Sequence, residues 1–599
     1  MRESARDRIA AAARSSSASG LLVALTALIA YCVVASPYIV EGENAELAAV
    51  GSIGGRAHPP GYPLYVLWLR AWSWLPGASP AHTTALATAI LGALALLVLH
   101  AACRAWGARP LAAAIAVVIV GAAPLIVRYH SQAEVFALNH LIAALVLWLA
   151  AAHGPLRGER RAIALGLVAG LGLANHFTCA LLAPVGILGA VRAVREARRG
   201  AVAVGGALIG LAVGLLPYAY LAVADGPASW GVVSSWDDLL TIVLRREYGG
   251  VAGFAPLGTS VPWTASLWAL IATIGRSWLW LPAILAPIAL GVQIWRPAAD
   301  GEPRWGWIAL AISIVLAGPV LVTRFNVEPE GLGLYICERF HLLPAILLAI
   351  AVAIALDAPA AALERRRRED QDDRGERDAL ERPILATVLP LVVFAGLVVT
   401  ALPALARIHS PAVELGVRNL LRSLPPDAVV HVVPDDLCGG SIYLQEARHE
   451  RPDVVVMCAA MLRLPWYRAQ LSRRTMGVDA VAGGLSEALV KSGRAVFVDP
   501  QLTGVLAAYP HYPYGVVRRV LPAGTPPPPA SEIAALNKKL FGAFDLAYPW
   551  PGPDDEYAAL AHYRYAGAWS AIARLLAAAG DRAGAQDAME LSAQLTPKD

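Results

Sequence analysis

The chain has 599 residues, of which 57% are hydrophobic and 16% charged, against roughly 45–50% and 25% in soluble domains. A soluble globule cannot hide that much apolar surface, so much of it faces lipid, and disorder, a fibrous repeat or a disulfide-stapled secreted domain are excluded. The net charge of +4 sits in short clusters rather than on one basic face, which argues against nucleic acid as a partner.

A spanning helix takes roughly 20 apolar residues. Such stretches occur near 20–40, 81–103, 110–127, 135–153, 162–174, 177–191, 201–223, 277–295, 307–323, 340–357 and 384–406. They predict a polytopic α-helical membrane domain of about eleven spans over 20–406, behind a cytoplasmic N-terminus over 1–19. The first stretch is longer than the apolar core of a signal peptide, and it reads as an uncleaved anchor. Arginine in short loops marks the cytoplasmic side. Arg2, Arg6, Arg8 and Arg14 precede the first span. With eleven crossings Arg157, Arg160 and Arg161, then Arg192, Arg195, Arg198 and Arg199, and the charged loop 358–383 all fall on that side too. Segments 41–80, 128–134, 224–276, 324–339 and everything after about 407 are then outside. In a bacterial inner membrane that side is the periplasm.

The first outer loop reads Glu41-Gly42-Glu43-Asn44-Ala45-Glu46, then Arg56-Ala57-His58-Pro59-Pro60-Gly61-Tyr62-Pro63. Glu43 and Glu46 are spaced to share one helix face, and carboxylates at a membrane surface are costly unless solvated or paired. Such a pair suits a base and a group that positions the acceptor. The prolines fix a rigid turn before a helix over 64–74 that reads as interfacial. The second outer loop carries Arg128, His130, Gln132 and Glu134. Arginine on the outer side runs against the usual bias, which makes Arg128 a candidate for anion binding or for simple snorkelling. Asn175-His176 breaks two short apolar segments at the outer boundary. Arg245 and Arg246 lie in the large outer loop, where they could hold phosphate or meet Asp237 and Asp238. Arg324 and Arg339 flank the tenth span, and all these polar clusters fall on one face.

The C-terminal part differs in composition. β-branched runs at Val429–Val433, Val454–Val456, Val496–Val498 and Val516–Val520 alternate with helical patterns. They predict a small α/β domain over 407–525 with a mostly parallel sheet. A proline-rich linker over 526–530 follows, and then a helical tail over 531–599. The tail resembles one tetratricopeptide unit, which must pack on the α/β domain or on a partner to bury its apolar face. Cys438 and Cys458 form either a disulfide or two buried thiols.

The series of motifs resembles the protein O-mannosyltransferase-like family, a bacterial multi-pass family with animal relatives. The motifs are Glu43-x-x-Glu46, His58-Pro-Pro-Gly-Tyr-Pro-Leu-Tyr65, Gln132-Ala-Glu134-Val-Phe, Asn175-His176-x-Thr178, Leu216-Pro-Tyr218-x-Tyr220, Trp230-Gly231 and Arg246-x-Tyr248-Gly249, then Asp435-Asp436 and Trp466-Tyr467. The resemblance implies a GT-C glycosyltransferase, which moves a sugar from a polyprenyl-phosphate donor to a protein or glycan acceptor at the outer face. A carboxylate of the first outer loop is the implied base. The family's usual first acid is Asp, whereas here it is Glu43, and Ala45 replaces a glycine. The longer side chain shifts the carboxylate by one methylene, and Glu43 and Glu46 stay open as alternatives for the base. The departing phosphate calls for cations, for which Arg128, Arg245, Arg246, Arg324 and Arg339 are the candidates. A divalent cation is admissible from the resemblance, although no cluster has the spacing of a dedicated metal site. Two other classes make different predictions. A transporter predicts mid-span charges and an internal repeat, which the spans lack. A membrane-anchored scaffold predicts that Glu43, His58, Arg128 and His176 do not converge.

Overall fold

The computed structural model describes residues 5–598 apart from 251–260, 298–300, 370–391, 393, 404, 476–486 and 555. Among the described residues, helices cover most of each predicted apolar stretch. Among the described residues, four are long and apolar enough to cross a bilayer (Pro80–Ala105, Phe177–Glu196, Gly200–Val223 and Phe394–Ser423), or up to seven if each of three bent pairs is one span. This is fewer than the eleven predicted, for two physical reasons. Ala18–Val33, Phe136–Ala150 and Arg304–Val320 are apolar but short. The helix Gly158–Asn175 opens on Glu159, Arg160 and Arg161, so its apolar part is shorter than its 18 residues. The last predicted span and the charged run Glu364 to Arg382 fall partly outside the described residues.

The segment 224–276 contains the apolar helix Trp263–Ser277, which meets Leu281–Trp295 at a bend of 112°. The predicted helix over 277–295 missed that break, since Trp278, Leu279 and Trp280 are apolar but form the turn itself.

Close helix packing follows from glycine spacing. A Cβ on Gly166, Gly170, Gly210 or Gly214 would stand 2.0–2.4 Å from a carbonyl oxygen of the facing helix. The helices Gly158–Asn175 and Gly200–Gly214 therefore meet backbone to backbone, as small residues at four-residue spacing allow inside a membrane. Gly158–Asn175 also connects the two ends of the bundle. At its start Arg161 lies 3.2 Å from Glu196, and Arg192 beyond that is paired with Glu302. At its other end stand Asn175 and His176. Reporter fusions after residues 200 and 420 are expected to report cytoplasm and the outer side respectively, and the opposite result at 420 would invert the orientation.

Among the described residues the C-terminal region holds five strands, β1 (Val429–Val432), β2 (Val455–Cys458), β3 (Val496–Val498), β4 (His511–Tyr514) and β5 (Val517–Val520), in the order β2-β1-β3-β5-β4. The sheet is mixed rather than mostly parallel: β1 pairs with β2 and β3 in parallel, while β5 runs antiparallel to both β3 and β4. The strand missed from sequence is β4, because Pro513 lies inside it and proline is confined to edge positions. Cys438 and Cys458 are two buried thiols.

The tail is the expected helix pair, Glu556–Ala578 and Arg582–Leu595, turned at Gly580 (φ +88°) with Asp581 capping the second helix. It packs against the chain's own C-terminal region rather than waiting for a partner. Arg564 makes two 2.7 Å hydrogen bonds to the fully buried Asp436. Glu556 reaches Arg128 at 3.5 Å and Arg407 at 3.3 Å.

Candidate active site

The helix Gly42–Ile53 presents the acids. Its start is fixed by Asn44, whose side chain accepts from Val40 N–H at 3.1 Å and donates to Ala133 C=O at 3.2 Å. The first outer loop is thereby tied to the second. Glu43 and Glu46 do share a face, but their roles diverge.

Glu46 is committed to His58. Its two oxygens accept from the His58 backbone N–H at 2.8 Å and lie 2.6 Å from His58 Nδ1. The proline turn that delivers His58 closes with a 2.8 Å hydrogen bond from Gly61 N–H to His58 C=O. Gly61 adopts φ +91°, and a Cβ there would press 2.8 Å from Leu221. Next in the chain, Tyr62 places its hydroxyl 3.1 Å from His58 Nε2 and stacks on His176, with ring centroids 5.8 Å apart.

Glu43 stands on the other side of His58, with Oε1 4.0 Å from Nε2 and its side chain 43% exposed. Its second oxygen pairs with Arg339, which also donates to Glu41 at 3.2 Å. Packing around Glu43 opposes ionisation, but Arg339 and His58 outweigh it and hold the carboxyl below its ordinary range. Burial works against a charged His58, yet Glu46 and then Glu43 raise it above the ordinary imidazole value.

Glu41, which the sequence reading left without a role, completes an acidic group with Glu43 and Glu134 whose ligand oxygens lie within 4.8 Å of one another. Burial and the neighbouring Glu41 keep Glu134 protonated well above the usual carboxylate range. Oxygen-only donors suit a hard divalent ion, but the guanidinium of Arg339 already bridges Glu41 and Glu43. The fit for a metal is therefore poor, because an ion would have to displace Arg339.

The candidate cations separate by what they touch. Arg128 lies 3.5 Å from both Glu338 and Glu556, under Tyr335. Arg246 is exposed and takes Asp237 at 2.7 Å. Arg324 is exposed, with no side-chain partner among the described residues. Arg339 holds Glu41 and Glu43. Arg245 alone combines proximity with freedom. It has no ion-pair partner among the described residues, its Nε is buried without a hydrogen bond, and its charge bears on His58, Tyr62 and His176.

Other predicted residues serve the frame. Arg56 is buried and donates to the carbonyls of Trp230, Gly231 and Leu221. Asn175 donates to Val135 C=O at 3.3 Å. Gln132 is buried beside Arg128 and Tyr335. His130 does not join the site: it turns into the bundle and meets His140 at 2.8 Å, because it ends the helix Pro124–His130 rather than lying in an open loop. Pro59 and Pro60 lie in the turn closed by the Gly61 to His58 hydrogen bond.

Residues 44–198 match the family described as protein O-mannosyl-transferase TMEM260 N-terminal domain. A Dictyostelium discoideum protein O-mannosyl-transferase tmem260 is 24% identical over 260 residues, which is 39% of this chain and 31% of that protein. The Mus musculus protein O-mannosyl-transferase TMEM260 is 25% identical over 452 residues, 73% of this chain and 62% of that protein. The chain thus spans less than two thirds of the length of these relatives. Among solved structures, ArnT from Cupriavidus metallidurans bound to undecaprenyl phosphate aligns with TM-score 0.48 and 14% identity over 85% of this chain and 98% of that one. Its apo form aligns with the same score over 83% and 96%. Over the residues that carry Glu46, His58, Arg128 and His176, the chain is similar to the N-terminal domain of the TMEM260-type protein O-mannosyl-transferases.

Proposed function

We propose that the chain is a GT-C glycosyltransferase that moves a sugar from a polyprenyl-phosphate donor to a hydroxyl of a protein or glycan acceptor, at the outer face of a bacterial inner membrane. The observation that supports this is the convergence of Glu43, His58 and His176, with Tyr62 between the two histidines, beside Arg245, which has no ion-pair partner among the described residues; the fourth residue of the expected set, Arg128, stands apart on Glu338 and Glu556. A membrane-anchored scaffold has no reason to gather them.

In this reading Glu43 takes the proton of the acceptor hydroxyl as its oxygen attacks the anomeric carbon. The bond from that carbon to the phosphate oxygen breaks, and negative charge develops on the lipid phosphate. Arg245 and the protonated His58 meet that charge. Glu46 orients His58 and favours its charged form, while Arg339 aims Glu43. The similarity to protein O-mannosyl-transferases favours a mannosyl donor and a protein hydroxyl.

The direct test is mass spectrometry of envelope proteins and polysaccharides from a deletion strain, with transfer by the purified full chain from polyprenyl-phosphate mannose. One glycan should be lost in the strain and restored by the wild-type gene. An unchanged glycan profile together with no transfer from any polyprenyl-phosphate sugar removes the enzyme reading.

A pH profile follows from the two shifts. The base form of Glu43 survives below the ordinary Glu value of about 4.3, so the acid limb should lie under it. The cationic form of His58 survives above the ordinary His value of about 6.5, so activity should fall only beyond that. His58→Gln should erase the basic limb and leave the acid limb in place. A basic limb unchanged in that variant would mean that His58 does not act through its charge.

A further inference from the structure

Glu247 sits in the same turn as Arg245, yet the two are not paired. Its carboxylate is held elsewhere. Oε2 accepts the indole N–H of Trp230 at 2.8 Å, and Oε1 accepts that of Trp466 at 3.1 Å. The two indoles come from far apart in the chain. Trp230 is fixed beside the proline turn, its backbone N–H donating to Arg56 C=O at 2.8 Å and its ring 6.3 Å from that of His58. Trp466 belongs to the helix Pro465–Arg474 of the α/β region. The rings meet edge to face at 5.6 Å. Tyr248 closes the group, 6.1 Å from Trp230 and with Arg245 and Arg463 over its ring. Meanwhile Arg245 is held at φ +55° with its Nε unpartnered, and Arg246 is taken by Asp237.

We propose that Trp230 and Trp466 are positioning residues for the donor phosphate: by directing both oxygens of Glu247, they keep Arg245 from pairing with it. This inference rests on Arg245 as the phosphate cation. A carboxylate released beside a half-buried guanidinium would capture it, because a charge-assisted pair is stronger than either group's contact with a neutral donor. The phosphate would then compete with an internal anion. The C-terminal region thus acts on donor binding through one indole N–H, without touching the donor.

The test uses the full chain in lipid nanodiscs with undecaprenyl phosphate as the probe, followed by steady-state transfer. Trp466→Phe keeps the ring and removes the donor. It should weaken probe binding by about tenfold, equivalent to ~1.4 kcal/mol, raising KM for the donor with kcat nearly unchanged. Adding Glu247→Gln in the same chain should restore binding, since an amide cannot neutralise Arg245. If the double variant binds as weakly as Trp466→Phe, the effect is lost packing and the inference fails. Normal binding by Trp466→Phe also defeats it. Arg245→Lys run alongside separates the two levels. If that variant binds the probe as the wild type does, the assignment of Arg245 fails and the inference with it. If it is weak while Trp466→Phe is normal, only the inference falls.

Discussion

Glu43→Gln is expected to lower turnover by roughly 10²–10⁴-fold, the usual size of a general-base contribution, with donor binding retained. The amide keeps the shape and can still accept a hydrogen bond from Arg339, but it cannot take the acceptor's proton. The choice of Glu43 over Glu46 rests on commitment. Both Glu46 oxygens are occupied by His58, at 2.8 and 2.6 Å. Glu43 keeps an exposed edge, and Arg339 fixes its direction without covering it. Glu46→Gln should instead act through His58, giving a smaller loss and a basic limb moved to lower pH, because the imidazole loses the carboxylate that favours its charged form. Full loss in Glu46→Gln with near-normal turnover in Glu43→Gln would reverse the two roles.

The second large effect is expected at Arg245. Arg245→Lys should cost on the order of 10²-fold in donor-dependent transfer, comparable to removing one electrostatic donor aimed at developing charge. A guanidinium offers phosphate two parallel hydrogen bonds, and an ammonium cannot reproduce that fork. Lysine at Arg246 or Arg324 should be tolerated, because both side chains are exposed. Lysine at Arg128 or Arg339 should reduce folded protein before it reduces catalysis, since each is buried between two carboxylates. The ranking is read from transfer normalised to folded protein in membranes. Equal tolerance at Arg245 and Arg246 would leave the phosphate to His58, His176 and backbone amides.

The outer loops were legible because carboxylates, histidines and arginines stand out in a chain this apolar. The pairing among them was not. Arg339 could be singled out as an arginine on the wrong side, but its contact with Glu43 spans 296 residues of sequence. With that contact unknown, Arg339 and Arg245 looked equivalent. Glu41 carries no role in the sequence because its partners, Arg339 and Glu134, come from other segments. Nothing in the sequence singles out Glu247, because Trp466 lies 219 residues away. Hydropathy placed the helices well but not their breaks, since tryptophan and leucine are as apolar in a turn as in a span. His130 was misplaced for the converse reason: a polar residue in an apolar setting was read as facing outward, when its partner was another histidine.

The contact between Gly42 and the helix Asp435–Ile442 has a consequence for how the protein is made. A Cβ on Gly42 would stand 2.4 Å from the Asp435 carbonyl oxygen, and one on Gly439 would stand 2.2 Å from that of Gly42. The acid-bearing helix is thus seated directly on backbone synthesised about 390 residues later, at ribosomal speeds of roughly 5–20 residues per second. Until that segment emerges and docks, the helix that carries Glu43 lacks its seat. Nor does Arg128 have its partner Glu556 from the tail. On the proposed function, a nascent chain that holds only its early helices lacks the backbone on which the acid-bearing helix is seated, and a ribosome stalled before Asp435 would leave a membrane-anchored chain whose base is not yet placed.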